Sequence, residues 1–415
     1  SKPLTAYAQK LQDRAILIEE GVKAAAAVDP QSVDEVFDDL YGKNEPPADA
    51  LIPARSLTLT CRSLPNRIEL IAARHGGISS ELAIRAAIGW LLGQQSTDQA
   101  MLGSWDFSSQ RRPKAPGAAR VAATSFVLLT LLAAEPASEA SKAELDPRIS
   151  LGLKYLMGQA KPAGPNMIVF VDQNTKNVPT HPMATIALCE ASALSRESEI
   201  RYAARNAVSS ISQWQNEDGG WGEKPGAPSD IFFTTWFLMA IDSAQDTGVT
   251  IPNKTNVLSK AKKYIESLKV AEAGNPDQFL YNAGSLRPDD LSTVSGHFAM
   301  LLLEMQKRTP ELEQYLKDLA ESGPSDTDLL FNFYANWLLM SAGGEPWLQW
   351  NRTIRQEYLA SQVKTGNHAG SWNRTSSDPL GKSGGDVYVN ALMTLTLQTV
   401  YRYPPMALPD SLETN

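Results

Sequence analysis

Two kinds of helical segment alternate along this chain, and that alternation constrains the fold more than any other feature. The first kind carries an aromatic followed by Leu or Ile late in an amphipathic stretch. It occurs as Trp90-Leu91, Tyr155-Leu156, Tyr264-Ile265, Tyr315-Leu316 and Tyr358-Leu359, while Ser210-Ile211 holds the register without the aromatic. The second kind opens on a polar residue, usually with a small or polar one four positions on, and then runs almost wholly apolar. Its instances are Arg120/Thr124, His181/Thr185, Asp230/Thr234, Asp290/Val294, Asp328/Asn332 and Asp386/Asn390. Each kind recurs roughly every 40–65 residues, as helical repeats do. A helix polar on one side shows that side to water, whereas a helix apolar on most faces must be covered on most faces. Two concentric layers satisfy both demands. The pattern therefore predicts an all-α fold, an (α/α)6 toroid or barrel of six helical hairpins. Closing the ring leaves no open end that needs a capping repeat. Strand-like alternation is confined to NMIVFVDQN.

The divisions expected are an N-terminal helical extension and linker over 1–80, the toroid over 81–405, and a C-terminal tail over 406–415. The extension reads as a helix, LTAYAQKLQDRAILIEEGVKAAAAV, followed by an acidic patch and the Pro-rich KNEPPADALIP. The 415 residues carry a net charge of −8 and no basic stripe, which argues against a nucleic-acid partner. No apolar run reaches the ~18–20 residues that span a bilayer, so no transmembrane segment is expected. Cys61 and Cys189 cannot make a disulfide framework or a Cys-rich zinc site, and Cys189 reads as a buried structural thiol. His75, His181, His297 and His368 are far apart, without metal-ligand spacing. No cofactor or metal is expected. A chain starting at Ser1 with no leader-like segment fits a soluble protein, with a removed leader equally compatible, and the compartment stays open.

The loops between the two helix kinds repeat a third feature, Gly-x-Trp, at Gly103-Ser104-Trp105, Gly219-Gly220-Trp221 and Gly370-Ser371-Trp372. A glutamine precedes each: Gln95, Gln215 and Gln362. Glycine permits a tight turn, the indole packs over a neighbouring helix end, and glutamine can bond its backbone. Gln95, Trp105, Gln215, Trp221, Gln362 and Trp372 are accordingly read as structural staples. This arrangement resembles the QW motif of squalene and oxidosqualene cyclases. The strings HPMATIALCEA, QNEDGGWG, GGEPWLQWN and GGDVYVNALMTLTLQTVYRYPP resemble bacterial proteins of the prenyltransferase/squalene-oxidase repeat family. That family includes terpenoid cyclases and protein prenyltransferases, and the resemblance implies an α/α toroid with a central cavity.

The chemical signatures of that family are incomplete here. Its cyclases protonate substrate with a DxDD string, and the nearest match is Arg287-Pro288-Asp289-Asp290. The resemblance would make Asp289 the proton donor, but a guanidinium at the first position would lower a carboxyl pKa that must stay high. Pro-Asp-Asp is also an ordinary helix start. The family's zinc-binding Asp, Cys and His are not matched.

The starts of the inner helices, Arg120, His181, Asp230, Asp290, Asp328 and Asp386, should share one mouth of the barrel. N-capping explains carboxylates there. Convergence on a ligand is the functional alternative, with Asp230 and Asp386 as an acid/base pair suited to sugar chemistry. Catalytic candidates are thus Asp289, Asp290, Asp230 and Asp386. Ligand-binding candidates are Arg120, His181, Asp230, Trp236, His297, Asp328 and Tyr388. Aromatics available to line a cavity include Phe232, Phe298, Tyr334, Trp337 and Tyr388, although a doubly buried helix carries such residues anyway. Three functions follow. The first is a binding module, not necessarily catalytic, that uses the cavity or mouth for a lipid, peptide or glycan. The second is a divergent terpenoid cyclase using Asp289, and the third a carbohydrate-active (α/α)6 enzyme with paired carboxylates.

Overall fold

The computed structural model describes residues 62, 67, 70, 71, 74–107, 119–134, 139–172, 177–195, 197–270 and 278–402. The expected extension over 1–80 lies mostly outside these residues, as do Cys61 and the tail over 406–415. Among the described residues are twelve α-helices: α1 (Ile78–Gly93), α2 (Arg120–Leu132), α3 (Glu139–Gly158), α4 (Thr180–Leu194), α5 (Ser198–Trp214), α6 (Ile231–Asp246), α7 (Lys254–Ser267), α8 (Asp290–Leu302), α9 (Pro310–Ser322), α10 (Leu329–Ala342), α11 (Gly344–Ser361) and α12 (Gly381–Arg402). Two small antiparallel hairpins decorate the ring: Lys161–Gly164 with Met167–Val169, and Lys269–Val270 with Gln278–Phe279.

The even-numbered helices form the inner ring. Helix α2 packs on α4, α4 on α6, α6 on α8, α8 on α10, α10 on α12, and α12 back on α2. The chain is therefore an (α/α)6 toroid. Burial divides the two layers as the pattern requires. Every residue of α2 from Val121 to Leu132 is buried, and so is the stretch of α12 from Gly384 to Arg402. Outer helix α5 buries Ile200, Ala203, Ala204, Ala207, Val208, Ile211 and Trp214, a single stripe at helical spacing.

The inner helices run parallel, because elements preceding one inner helix bond the start of another. Asp172, ahead of α4, accepts the N–H groups of Val121 and Ala122 at 2.8 and 2.9 Å. Ser376, ahead of α12, accepts the N–H of Leu329 at 2.9 Å. Ile231 donates its N–H to the Tyr281 carbonyl, ahead of α8, at 2.9 Å.

Each Gly-x-Trp loop ties an outer helix to the next one around the ring. Gln95 Nε2 donates to Gly103 O and Arg148 O, Gln215 Nε2 to Gly219 O and Val257 O, and Gln362 Nε2 to Gly370 O and Ala83 O, all at 2.8–2.9 Å. Each indole N–H donates to the outer helix before it: Trp105 to Leu91 O, Trp221 to Ile211 O, Trp372 to Tyr358 O. The backbone N–H of each tryptophan reaches the second member of the inner-helix polar pair, Thr124, Thr234 or Asn390. Gly370 has φ +87°, and a Cβ there would overlap the backbone of Ala86. The third staple therefore joins the last outer helix to the first and closes the outer layer.

The opposite ends of the inner helices are closed by charge. Arg402, fully buried, pairs both Nη2 contacts with Glu190 at 2.7 Å, and Arg62 Nη1 meets the same carboxylate at 2.9 Å. Burial alone would raise the pKa of Glu190; the two guanidinium groups more than reverse this and lower it. Arg67 adds bonds to Ala133 O and Tyr401 OH, and Arg74 to Val400 O, satisfying carbonyls near helix C-termini.

Candidate functional site

The mouth at the inner-helix starts is ringed by carboxylates, and the local sequence explains why. Asp230, Asp289 and Asp328 are N-caps, accepting from Phe233 N (2.8 Å), Ser292 N (2.7 Å) and Phe331 N (2.8 Å). Asp386 follows a break in α12 at Gly385, where φ is +59°. It is fully buried.

Environment separates these groups. The second oxygen of Asp230 accepts from Tyr281 OH at 3.2 Å, and burial lifts its pKa to about 6. Asp328 is half-buried and lifted to about 6, first by burial and further by the nearby charges of Asp378 and Asp289. Hydrogen bonds from the backbone N–H groups of Phe331 and Leu330 to its carboxylate oppose that lift. Asp289 and Asp290 are both exposed. That setting is unlike the apolar enclosure that keeps a cyclase acid protonated.

Two carboxylates absent from the sequence-based candidates complete the mouth. Asp378 is buried and accepts from Leu380 N, Gly381 N and Tyr388 OH at 2.8–2.9 Å, and from Ser376 Oγ. Burial raises its pKa. Asp172 also accepts from Thr180 Oγ1, and its pKa is likewise raised by burial. Asp378-Pro379 has the form of a cap followed by proline, a readable signal. Asp172 ends a short apolar run and has no comparable signature. Tyr334 OH is fully buried with no hydrogen-bond partner among the described residues, and its pKa is raised by burial and then by the charges of Asp378 and Asp328.

The remaining candidates are distributed as follows. Arg120 binds Asp106 at 2.7 Å and Ser104 Oγ at 3.0 Å, at the rim. His181 points into the layer between the rings, stacked on Trp214 at 5.0 Å, with burial pushing its pKa down to about 3. His297 is buried, stacked on Tyr315 at 4.5 Å and 3.3 Å from Gln306 through Nδ1. Both histidines are thus core residues in position. Trp236 and Tyr388 face the axis. Phe126 of α2 touches Trp236 of α6 with ring centroids 5.9 Å apart, although α4 stands between those helices in the ring. Phe126 also stacks on Tyr388 at 5.5 Å. Asp230 has Tyr281 and Glu223 as its electrostatic neighbours, while Asp328 has Asp378 and Asp289. Asp328 thus feels the charges of Asp378 and Asp289, whereas Asp230 feels that of Glu223.

Among the described residues no group of three or more His, Cys, Asp or Glu is placed to hold a metal ion. No described helix is long and apolar enough to cross a membrane. Cys189 is buried, its thiol pushed up to about 12 by burial.

No family model matches the chain, and no curated protein matches it. A search of solved structures finds an inactive variant of the alpha-1,6-mannanase GH76A of Salegentibacter sp. HEL1_6, with two neighbouring aspartates replaced by asparagine, in complex with alpha-1,6-mannotriose. It is 11% identical, covers 78% of this chain and 99% of that one, and has a TM-score of 0.50. This chain is similar to it in fold. The likeness supports the toroid and does not extend to the terpenoid-cyclase or prenyltransferase family.

Proposed function

We propose that this chain is a carbohydrate-active (α/α)6 protein that takes a glycan at the inner-helix-start mouth, with Asp328 as proton donor and Asp289 as the opposing base. The observation that carries this reading is the environment of Asp328. Its carboxylate caps α10 through Phe331 N, and a pKa of about 6 keeps part of the population protonated near neutrality. An exposed carboxylate, Asp289, lies within its electrostatic reach. Two carboxyl groups in unlike surroundings are what glycoside cleavage uses, one to protonate the leaving oxygen and one to activate water or attack. Support also comes from the fold shared with a mannanase solved with a mannotriose, in a variant lacking two neighbouring aspartates. Asp289 and Asp290 are neighbouring aspartates here. The rings of Phe126 and Trp236 occupy axial space that a polyisoprene would need, which weighs against the cyclase reading.

The test is release of reducing ends from a panel of neutral oligosaccharides that includes α-1,6-mannotriose. Asp328→Asn and Asp289→Asn both retain capping oxygens, so folding is kept while turnover falls at least a hundredfold. Full turnover in both variants would sink the assignment. A second reading, glycan binding without turnover, is favoured by the capping bonds of Asp230, Asp289 and Asp328. Binding by the wild type with no product in any member of the panel would select it.

A further inference from the structure

The loop ahead of α12 clasps the start of α10 on both sides of Asp328. Ser376 Oγ accepts the N–H of Leu329, the residue after Asp328, at 2.9 Å. Ser377 donates its backbone N–H to the carbonyl of Thr327, the residue before Asp328, at 2.5 Å. Its hydroxyl donates to the same carbonyl at 2.9 Å. Ser376 is oriented in turn by Asp378, whose Oδ2 accepts the serine hydroxyl. A hydroxyl has one proton, so donation to Asp378 leaves the Ser376 lone pairs for the Leu329 N–H. The other oxygen of Asp378 accepts from Leu380 N, Gly381 N and Tyr388 OH at 2.8–2.9 Å. Tyr388 is fully buried and stacks on Phe126 of α2, which anchors the clasp in the inner ring. Asp378 is only 1% exposed, so its carboxylate acts on its protein neighbours and not on a substrate.

We propose that Asp378 is a positioning residue for the proton donor: acting through Ser376, it fixes the backbone beside Asp328 and so holds that carboxyl in place at the mouth. The inference rests on the reading of Asp328 as the acid. A displacement of about 1 Å at a reacting group costs up to about a hundredfold in rate, so a fixed donor raises turnover more than affinity. The charge of Asp378 adds a second effect, because it disfavours ionisation of Asp328. Asp289, at the start of α8, acts in the same direction, and Tyr334 of α10 and Tyr388 of α12 feel both Asp328 and Asp378.

Three variants of the full chain separate position from charge. Ser376→Ala removes the link to Leu329, and Asp378→Ala removes the group that orients the link. Asp378→Asn refills the hydrogen-bond positions without the charge, since the Ser376 hydroxyl can turn to Thr327 O, 3.2 Å away. Turnover of a neutral oligosaccharide, exchange of the Leu329 amide and the titration of the Asp328 carboxyl carbon resonance are the readouts. Both alanine variants should lower kcat at least about tenfold with little change in KM, and the double variant should lose no more than either alone. Asp378→Asn should recover kcat to within about threefold, while the Asp328 titration and the alkaline limb of turnover both move to lower pH. Leu329 exchange should rise at least about tenfold in Ser376→Ala. Additive losses in kcat, or an Asp328 titration unmoved in Asp378→Asn, would overturn the proposal. A wild type that cleaves no oligosaccharide would instead remove the acid role of Asp328. Leu329 exchange and the Asp328 titration would then still decide whether Asp378 governs that carboxyl, and no change in either would overturn it.

Discussion

Gln362→Ala probes ring closure. The Gln362 amide donates to Gly370 O at 2.9 Å within its own loop and to Ala83 O at 2.8 Å on the first outer helix. The side chain is 6% exposed, so water does not readily replace it. Losing two buried hydrogen bonds at about 1 kcal/mol each, with a further penalty for carbonyls left short of a partner, gives a loss of about 2–3 kcal/mol. Urea unfolding of the variant should show that loss with an unchanged slope. Hydrogen exchange should speed up in α1 and α11 together, because the bond joins the two ends of the ring. Gln95→Ala removes the equivalent pair, to Gly103 O and Arg148 O, and should cost a similar amount while loosening α1 and α3. A loss below about 0.5 kcal/mol for Gln362→Ala, or faster exchange confined to its own loop, would refute closure through this staple.

Three other substitutions test separate parts of the structure. Glu190→Gln leaves Arg402 and Arg62 buried without their counter-ion and should destabilise by about 3–5 kcal/mol in denaturant titration. Gly219→Ala introduces a side chain at φ +95° against the Lys260 carbonyl and should lower the melting temperature, whereas Gly89→Ala should not. The folded pKa of Asp328 is raised from 3.8 to about 6, so its contribution is most favourable below pH 4 and is lost as pH rises through 6. Asp328→Asn keeps a capping oxygen and should therefore stabilise the protein at pH 8 and do little at pH 4. Melts at the two pH values decide it, and destabilisation at pH 8 would contradict the buried-carboxylate account.

The architecture was legible because both layers write their burial into the sequence. The inner helices expected to start at Arg120, His181, Asp230, Asp290, Asp328 and Asp386 begin in the structure at Arg120, Thr180, Ile231, Asp290, Leu329 and Gly381. The largest departure is in α12, where Gly385 interrupts the helix just before Asp386. The staples were legible for a related reason: glycine, tryptophan and glutamine recur at fixed places because backbone approach and indole packing demand them. The site was less so. Polar residues at helix starts look alike in sequence, whether they turn to the mouth like Asp328 or into the interlayer core like His181. Asp172 and Asp378 lie in loops without periodicity, and their neighbours become visible only when separate hairpins are brought together. The resemblance to terpenoid cyclases identified a shape, and the mannanase likeness supports that toroid shape alone.

The most direct test of the mouth as the glycan site is hydrogen exchange of the full chain with and without the tightest-binding neutral oligosaccharide of the panel. The account predicts protection around 228–232, 287–292 and 326–331, where α6, α8 and α10 begin. Protection at the opposite helix ends, near 129–133 and 398–402, or no binding by any oligosaccharide of the panel, would contradict it.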